Sequence, residues 1–303
     1  MLKTNVDKLA MIGVEGEVDH PKSGAGAEGA FGPDGRRVNV PDMGGITYNH
    51  NIGDCCCNIR GEHIEPGVSS KNHNNPAENV AYMMLSCIGN TVKVLTGDAK
   101  GATGYVVGKH GGVHTMLYFD PDTLDQLTYE DKFMVRSFGM GLQLTDYPDV
   151  MLYNMDPNLL QKMCIREENG SLIVPVSHII PSFLMGSGKG QGGKPWGSGA
   201  QSLPQRSDYD IITSDPESYQ KYRLGELRYG DIVMIEDSDS TWGRTHREGS
   251  VTIGIIIHSD SIIIGHGPGV TTLMSCRKSG VLKGEIDKNA NIACILGVKP
   301  REE

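Results

Sequence analysis

Large aromatic side chains are scarce in this 303-residue chain: 5 Phe and 2 Trp leave Ile, Val, Leu and Met to fill the interior. Paired thiols are missing as well. The seven cysteines include no Cys-x-x-Cys pair, and Cys55, Cys56 and Cys57 are consecutive, where neighbours are badly placed to bridge one another. That disfavours a zinc knuckle and points to a reducing compartment. No apolar run could span a bilayer, and the opening MLKTNVDKLAMIG lacks the hydrophobic stretch of a signal peptide. The expected location is therefore the cytoplasm, with no membrane partner. Basic runs are absent too. With 28 Lys+Arg against 37 Asp+Glu the formal charge is −9, so a phosphate backbone is repelled on average and nucleic acid is not an expected partner. Neither a Gly-x-Ser-x-Gly elbow, a Walker loop, a His-Glu-x-x-His helix nor a dinucleotide fingerprint occurs.

What is plentiful is glycine, with 40 residues. Helices lose stability with that much glycine, whereas turn-rich β proteins use it at positions needing positive φ. The expected class is mainly β (a β-rich α+β protein), with barrel- or sandwich-like sheets and a few short helices. Residues 1–20 read as a start strand, with Met11, Ile12, Val14 and Val18 interleaved with polar residues, and further strands are predicted at 91–96, 104–109, 113–119, 132–138, 172–176, 231–236, 251–257, 261–265 and 292–297. The pair 251–257 and 262–264 reads as a hairpin through His258 to Ser261. One clear helix is predicted at 76–88, capped by Asn75 with Pro76 in its first position, and Asp-Pro steps at Asp120, Asp156 and Asp215 open further short turns. The glycine-rich stretch within 181–206 separates an N-terminal β-rich domain (1–180) from a C-terminal β domain (207–303) packed against it.

Four motifs could carry chemistry. Glycine turns bracket the strand from Thr96 to Gly112 and bring Asp98, Lys100, Lys109 and His110 towards loop ends, where backbone N–H groups and lysines can meet an anion. Solvated turn charges are the bland alternative. In the extended segment Glu62-His63-Ile64-Glu65, residues two apart share a face, so His63 and Glu65 could share a metal or act as base and orienter. His258 leaves an apolar strand straight into a turn, and His266 sits in Gly265-His-Gly-Pro-Gly269, whose glycines Gly267 and Gly269 allow close ligand approach. Asp237 follows a buried strand with Arg247 nearby, and Asp208-Tyr-Asp210 is a weaker carboxylate pair of the same kind. The cysteine triplet alternates faces in a strand, so part of it is buried and inert.

The hairpin around Gly97 to Gly112 resembles the small KOW hairpin of ribosomal and elongation proteins. Across nearly the whole chain, a larger set of motifs resembles the prokaryotic family known as domain of unknown function 4438. Those motifs are Gly44-Gly-Ile-Thr-Tyr48, His63-Ile-Glu-Pro-Gly-Val-Ser69, Leu85-Ser-Cys-Ile-Gly-Asn90, Gly97-Asp-Ala-Lys-Gly101, Gly108-Lys-His-Gly-Gly112, Leu184-Met-Gly-Ser-Gly188, Asp208-Tyr-Asp210 and Gly265-His-Gly-Pro-Gly-Val270. The resemblance brings no established activity. It implies that His63, Glu65, Asp98, Lys100, Lys109, His110, Asp237, Arg247, His258 and His266 lie in family motifs, with the cysteine triplet and residues 189–199 outside the pattern. A looser similarity to acetamidase and formamidase enzymes lies in Val174-Pro-Val176, Pro181 and the glycine turn from Leu184, which in those enzymes enter a metal-bearing site.

The leading expectation is an enzyme acting on a small polar or anionic metabolite, most simply a metal-assisted hydrolase of an amide or related bond. His63, Glu65, His258 and His266 would ligate a divalent metal (Zn, Mn or Mg). Asp98, Lys109, His110 and Asp237 would be catalytic, and Lys100, Arg247, Gly267 and Gly269 would bind substrate. The alternatives are a non-catalytic ligand-binding or oligomeric assembly protein, with a homo-oligomer expected as partner, and an RNA-associated KOW-like barrel. All versions of the enzyme reading need histidines far apart in sequence to meet in one cleft.

Overall fold

Asn75 accepts the Glu78 backbone N–H at 3.0 Å and Pro76 takes the first helical position, so helix α1 (Pro76–Leu85) starts where the sequence predicts. It ends three residues early. Cys87 N–H donates to the Asn90 side chain, which also donates to the Phe138 carbonyl and to Asp156, and this tertiary anchor outcompetes another helical turn. The same proline start opens α2 (Pro121–Leu124), α3 (Pro157–Lys162) and α4 (Pro216–Lys221), with Asp120, Asp156 and Asp215 as caps. The coordinates are a computed structural model describing residues 1–23, 30–32, 34–186, 203–205 and 207–302.

Antiparallel strands β1 (Ile12–Val18), β5 (Gly67–Lys71), β6 (Thr91–Val94), β7 (Thr103–His110), β8 (His114–Tyr118) and β9 (Lys132–Ser137) run in the order β1-β9-β6-β7-β8-β5. β5 pairs again with β1, which closes a six-stranded barrel; β4 (Ile46–Thr47) extends it at β5, and β2 (Ala30–Phe31) with β3 (Arg37–Val38) forms a separate ribbon. In β6, Thr91 and Lys93 face water while Val92 and Val94 face the barrel interior with Val106, Leu117 and Phe133, the period-2 pattern of a half-buried strand.

A second sheet orders β10 (Val150–Leu152), β17 (Gly269–Cys276), β16 (Thr245–His258), β15 (Ile232–Asp239) and β13 (His178–Pro181), with β14 (Asp208–Asp210) also paired to β17. β11 (Arg166–Glu168), β12 (Ser171–Val176) and β18 (Leu282–Ile286) form a smaller third sheet. Val106 of the barrel and Ile253 and Leu273 of the second sheet belong to one hydrophobic cluster, so the core runs unbroken across the two. β10 lies wholly before residue 181 and β13 ends on Pro181, yet both pair within the second sheet, so the architectural seam falls earlier in the chain than the glycine-rich stretch. That stretch lies largely outside the described residues.

Two predicted strands are corrected. Residues 261–265 form a turn, because the Glu62 carboxylate accepts the Ser261 hydroxyl and the Ile262 N–H and pins that segment away from a ladder. The hairpin partner of β16 is instead β17. Residues 292–295 form helix α5 (Ile292–Ile295), whose cap Asn291 accepts the Ala293 N–H. Among the described residues no helix is long and apolar enough to cross a membrane.

Candidate metal centre

Where barrel and second sheet meet, four chain segments end on one another. β7 delivers His110 at its last position, and the tight turn into β8 pairs His110 with His114. β14 delivers Asp208 and Asp210, two residues apart and therefore on one face. β16 ends on His258, and His266 lies on the connection to β17. The segment before β5 supplies His63, whose φ of 52° is unusual for a non-glycine residue and costs on the order of 1 kcal/mol. Its neighbours hold it there: Glu62 N–H donates to the Pro41 carbonyl, while Ile64 and Ser259 exchange hydrogen bonds.

The donor atoms fall into two sets of three, each mutually within 4.8 Å: His63, Asp210 and His266, then His110, Asp208 and His258. In the first, His63 Nε2 is 3.3 Å from His266 Nδ1 and 3.4 Å from Asp210 Oδ2, which lies 2.6 Å from His266 Nδ1. In the second, His258 Nε2 is 3.1 Å from Asp208 Oδ2. The sets touch, with His258 Nε2 3.6 Å from Asp210 Oδ1 and the His63 and His258 rings 4.8 Å between centroids.

Ring orientation follows from the outer partners. His258 Nδ1 lies between the Ser259 carbonyl at 2.8 Å and the Gly269 N–H at 3.2 Å, and Nε2 is the nitrogen turned on the aspartates. His63 Nδ1 meets Glu62 at 2.9 Å and His110 Nδ1 meets Glu65 at 2.6 Å, again leaving Nε2 inward. Three imidazoles are thus held from behind in the manner of metal-ligating histidines. In the absence of a cation, lone pairs would face carboxylates unless extra protons sit on the rings. That is the state the ionisation behaviour reflects: burial works against a charged His63, but Asp210 and Glu62 outweigh it and push the ring up to about 10. Burial likewise opposes ionisation of Asp210, yet His266 and His63 hold it well below the usual carboxylate range. A divalent cation can replace such protons. The fit test is met on donor chemistry: all six side chains are at least nine-tenths buried, and none is a thiol.

A third set, Glu65, His110 and His114, has suitable spacing too. Its lone pairs are already committed. Glu65 accepts from Ser69, from Gly44 N–H and from both histidines, and His114 spans Glu65 and Asp19 at 2.8 and 2.7 Å. A ring donating at both nitrogens is an imidazolium, and the two carboxylates raise it to about 9 against the effect of burial. Glu65, expected as a ligand, therefore stands behind His110.

Of the twelve site residues expected from sequence, His63, Glu65, His110, His258 and His266 come together. Gly269 lies against the cluster: a Cβ there would sit 2.2 Å from His258 Nε2, so its role is to admit the imidazole. A Cβ on Gly267 would strike the Ile211 carbonyl at 1.8 Å, which is backbone crowding. The others are elsewhere. Asp98 and Lys100 are exposed in the turn before β7, the length of that strand (roughly 25 Å at ~3.3 Å per residue) from His110. Lys109 points to the opposite face from His110, buried, with Nζ donating to Asn154 at 2.8 Å and to the Met84 carbonyl; burial brings it down to about 8. Asp237 sits at a bulge in β15 accepting the Gly249 N–H, and Arg247 is exposed near the start of β16, far along the strand from His258. Sequence reasoning passed over His114 and Asp19, and ranked Asp208 and Asp210 too low. The Asp-x-Asp spacing in a strand was the signal for the last two; nothing local marks Asp19.

A closed antiparallel barrel joined to a second β-sheet, with a buried four-histidine, two-aspartate cluster at the seam, defines a β-rich protein with a candidate metal centre. Residues 30–161 match the N-terminal domain and residues 162–296 the C-terminal domain of a family described as Domain of unknown function (DUF4438), and the chain belongs to that family. A crystal structure of a protein called TM1086 is similar over 96% of this chain and 98% of that one, with a TM-score of 0.86 and 38% sequence identity. No curated protein matches.

Proposed function

We propose that the chain is a metal-dependent hydrolase acting on an amide or related bond of a small polar metabolite. The observation that carries this is the set of three imidazoles tethered through Nδ1, of which His63 turns Nε2 on Asp210, His258 turns Nε2 on Asp208 and Asp210, and His110 shares a donor set with Asp208 and His258. A purely structural site closes all positions with protein ligands, commonly thiolates; three donors per set leaves room for water or substrate. His63, His110 and His266 are buried but not sealed, each keeping 7% exposure. When bound, a divalent ion supplies Lewis-acid activation of water near neutral pH. Imidazole-rich donors suit Zn²⁺ better than Mg²⁺, which prefers an all-oxygen shell and keeps its waters, and the two aspartates supply the oxygen donors Mn²⁺ favours. Glu62 and Glu65 fix the ring orientations, and the buried setting strengthens every interaction with a developing charge.

Elemental analysis of the purified chain, with a panel of amides, esters and lactones, tests the reading. Stoichiometric Zn or Mn, hydrolysis of a panel member, and loss of both metal and turnover in His258→Ala are expected. A chain that takes up neither ion from micromolar solution would overturn it, and full metal loading with no turnover across the panel would replace catalysis by binding.

A further inference from the structure

We infer that the centre holds two ions bridged by the Asp210 carboxylate, an inference that rests on the metal reading above and gives it a stoichiometry. The two aspartates differ in what their second oxygens do. Asp208 Oδ2 faces His258, whereas its Oδ1 accepts the Gly111 N–H at 2.7 Å and meets no imidazole, so Oδ2 is the oxygen Asp208 turns to a donor set. Asp210 has both oxygens turned to imidazoles: Oδ2 to His266 and His63, Oδ1 to His258 at 3.6 Å. It alone reaches both donor sets. Each set contributes three protein donors, the number a catalytic zinc takes. The 3.3 Å between His63 Nε2 and His266 Nδ1 is the separation of two donors ~2.0–2.1 Å from one tetrahedral ion. A carboxylate shared between neighbouring sets places ions about 3.5–4 Å apart, the spacing at which two metals stabilise attacking and leaving oxygens together.

Charge points the same way. One dication only balances the two ligating aspartates and leaves the Glu62 carboxylate behind His63 uncompensated, whereas a second offsets it and leaves the ligating shell itself positive. The described residues bring no lysine or arginine side chain into the donor sets: Arg244 is buried over the Tyr209 ring at 4.1 Å and donates to the Ser207 and Asp208 carbonyls. A doubly loaded centre would therefore itself supply the positive charge for a substrate carboxylate, the role the sequence had given to Lys100 and Arg247. The substrate class that fits is an amide or lactone bearing an acidic group close to the scissile bond.

The test is titration of the full-length, chelator-stripped chain with Zn²⁺, with metal counted after desalting. About two equivalents per chain are expected for the unmodified protein, about one for His110→Ala and for His266→Ala, and well under one for Asp210→Asn. Loading with Mn²⁺ should give the exchange-broadened electron spin resonance of a coupled pair, lost in both histidine variants. The unmodified chain needs no substitution to decide the matter. One equivalent at saturation, with an uncoupled Mn²⁺ signal, overturns the shared carboxylate and leaves a single-ion enzyme standing; no uptake at all overturns both.

Discussion

His114 shows how far the centre reaches into its surroundings. Its ring joins Glu65 to Asp19, and Asp19 in turn accepts from Lys71 at 2.8 Å, so the orientation of His110 depends on a chain of ion pairs ending near the barrel surface. Burial works to raise Asp19, but His114 and Lys71 hold it below the usual carboxylate range, while His114 is raised to about 9. The signs are opposite. A depressed carboxylate gives stability that is present above about pH 3.8 and lost as pH falls below it; a raised imidazole gives stability present below about 6.5 and lost as pH climbs through about 9. The pair therefore stabilises most between about pH 4 and 6.5, and the His114 share fades from there to about 9. Asp19→Asn should cost on the order of 3 kcal/mol at pH 7, since it removes one of the two carboxylates on a buried imidazolium and the partner of Lys71, and the difference in urea midpoints from the parent should shrink at pH 10. A constant difference from pH 7 to 10 would contradict this account. Gly269 offers a second test at this scale. Gly269→Ala puts a methyl 2.2 Å from His258 Nε2, and the ring must move. Metal affinity should fall at least tenfold while the far-ultraviolet circular dichroism stays that of the parent; unchanged affinity would show that His258 is not a ligand.

At the level of elements, the sequence was most legible where a local rule had nothing to compete with. Helix α1 began where Asn75 and Pro76 placed it, and removing the cap as Asn75→Ala should cost about 1 kcal/mol in a denaturation midpoint. Strands β6, β7, β8 and β9 fell within two residues of their predicted bounds. The misreadings share one cause: a side chain distant in sequence intervened. Ile262, Ile263 and Ile264 are good strand formers, yet Glu62 takes the Ile262 N–H and turns the segment. Ile292 to Ile295 has an apolar strand-like look, but Asn291 caps it into a helix while its amide donates to Asp231 and the Tyr229 carbonyl. For the centre, the histidines of β16 and of the β16–β17 connection were visible because an imidazole bordering an all-apolar strand is conspicuous. Asp98, Lys100 and Arg247 misled because glycine-flanked charges at strand ends look alike whichever end of the barrel they occupy. Periodicity gives a residue's face; it does not give the pole of the molecule it reaches.

On the scale of the whole molecule, the centre ties together parts that the backbone leaves far apart. His63 precedes the barrel strand β5, His110 ends β7, and Asp208, Asp210, His258 and His266 belong to the second sheet and its connections. Barrel and second sheet share one hydrophobic cluster, so a bound metal would add to packing already present by replacing excess protons among six polar groups at the seam. Ligand bound to the native state alone adds RT ln(1 + [L]/Kd), about 2.7 kcal/mol per site at a hundredfold excess over Kd. For a chain of this size that corresponds to roughly 5 °C in Tm per ion. Scanning calorimetry of the chelator-treated chain should therefore show a lower Tm than the loaded one, by an amount rising with free Zn²⁺ and still growing after the first equivalent if both ions bind the native state. Acid should erase the difference, because imidazole ligands must be deprotonated for metal to bind, so the two curves converge as pH drops towards 5. If the Tm of apo and Zn²⁺-treated protein coincide at pH 7.5, the six side chains are stabilised by protons and hydrogen bonds alone, and the seam is a salt-bridge network rather than a metal centre.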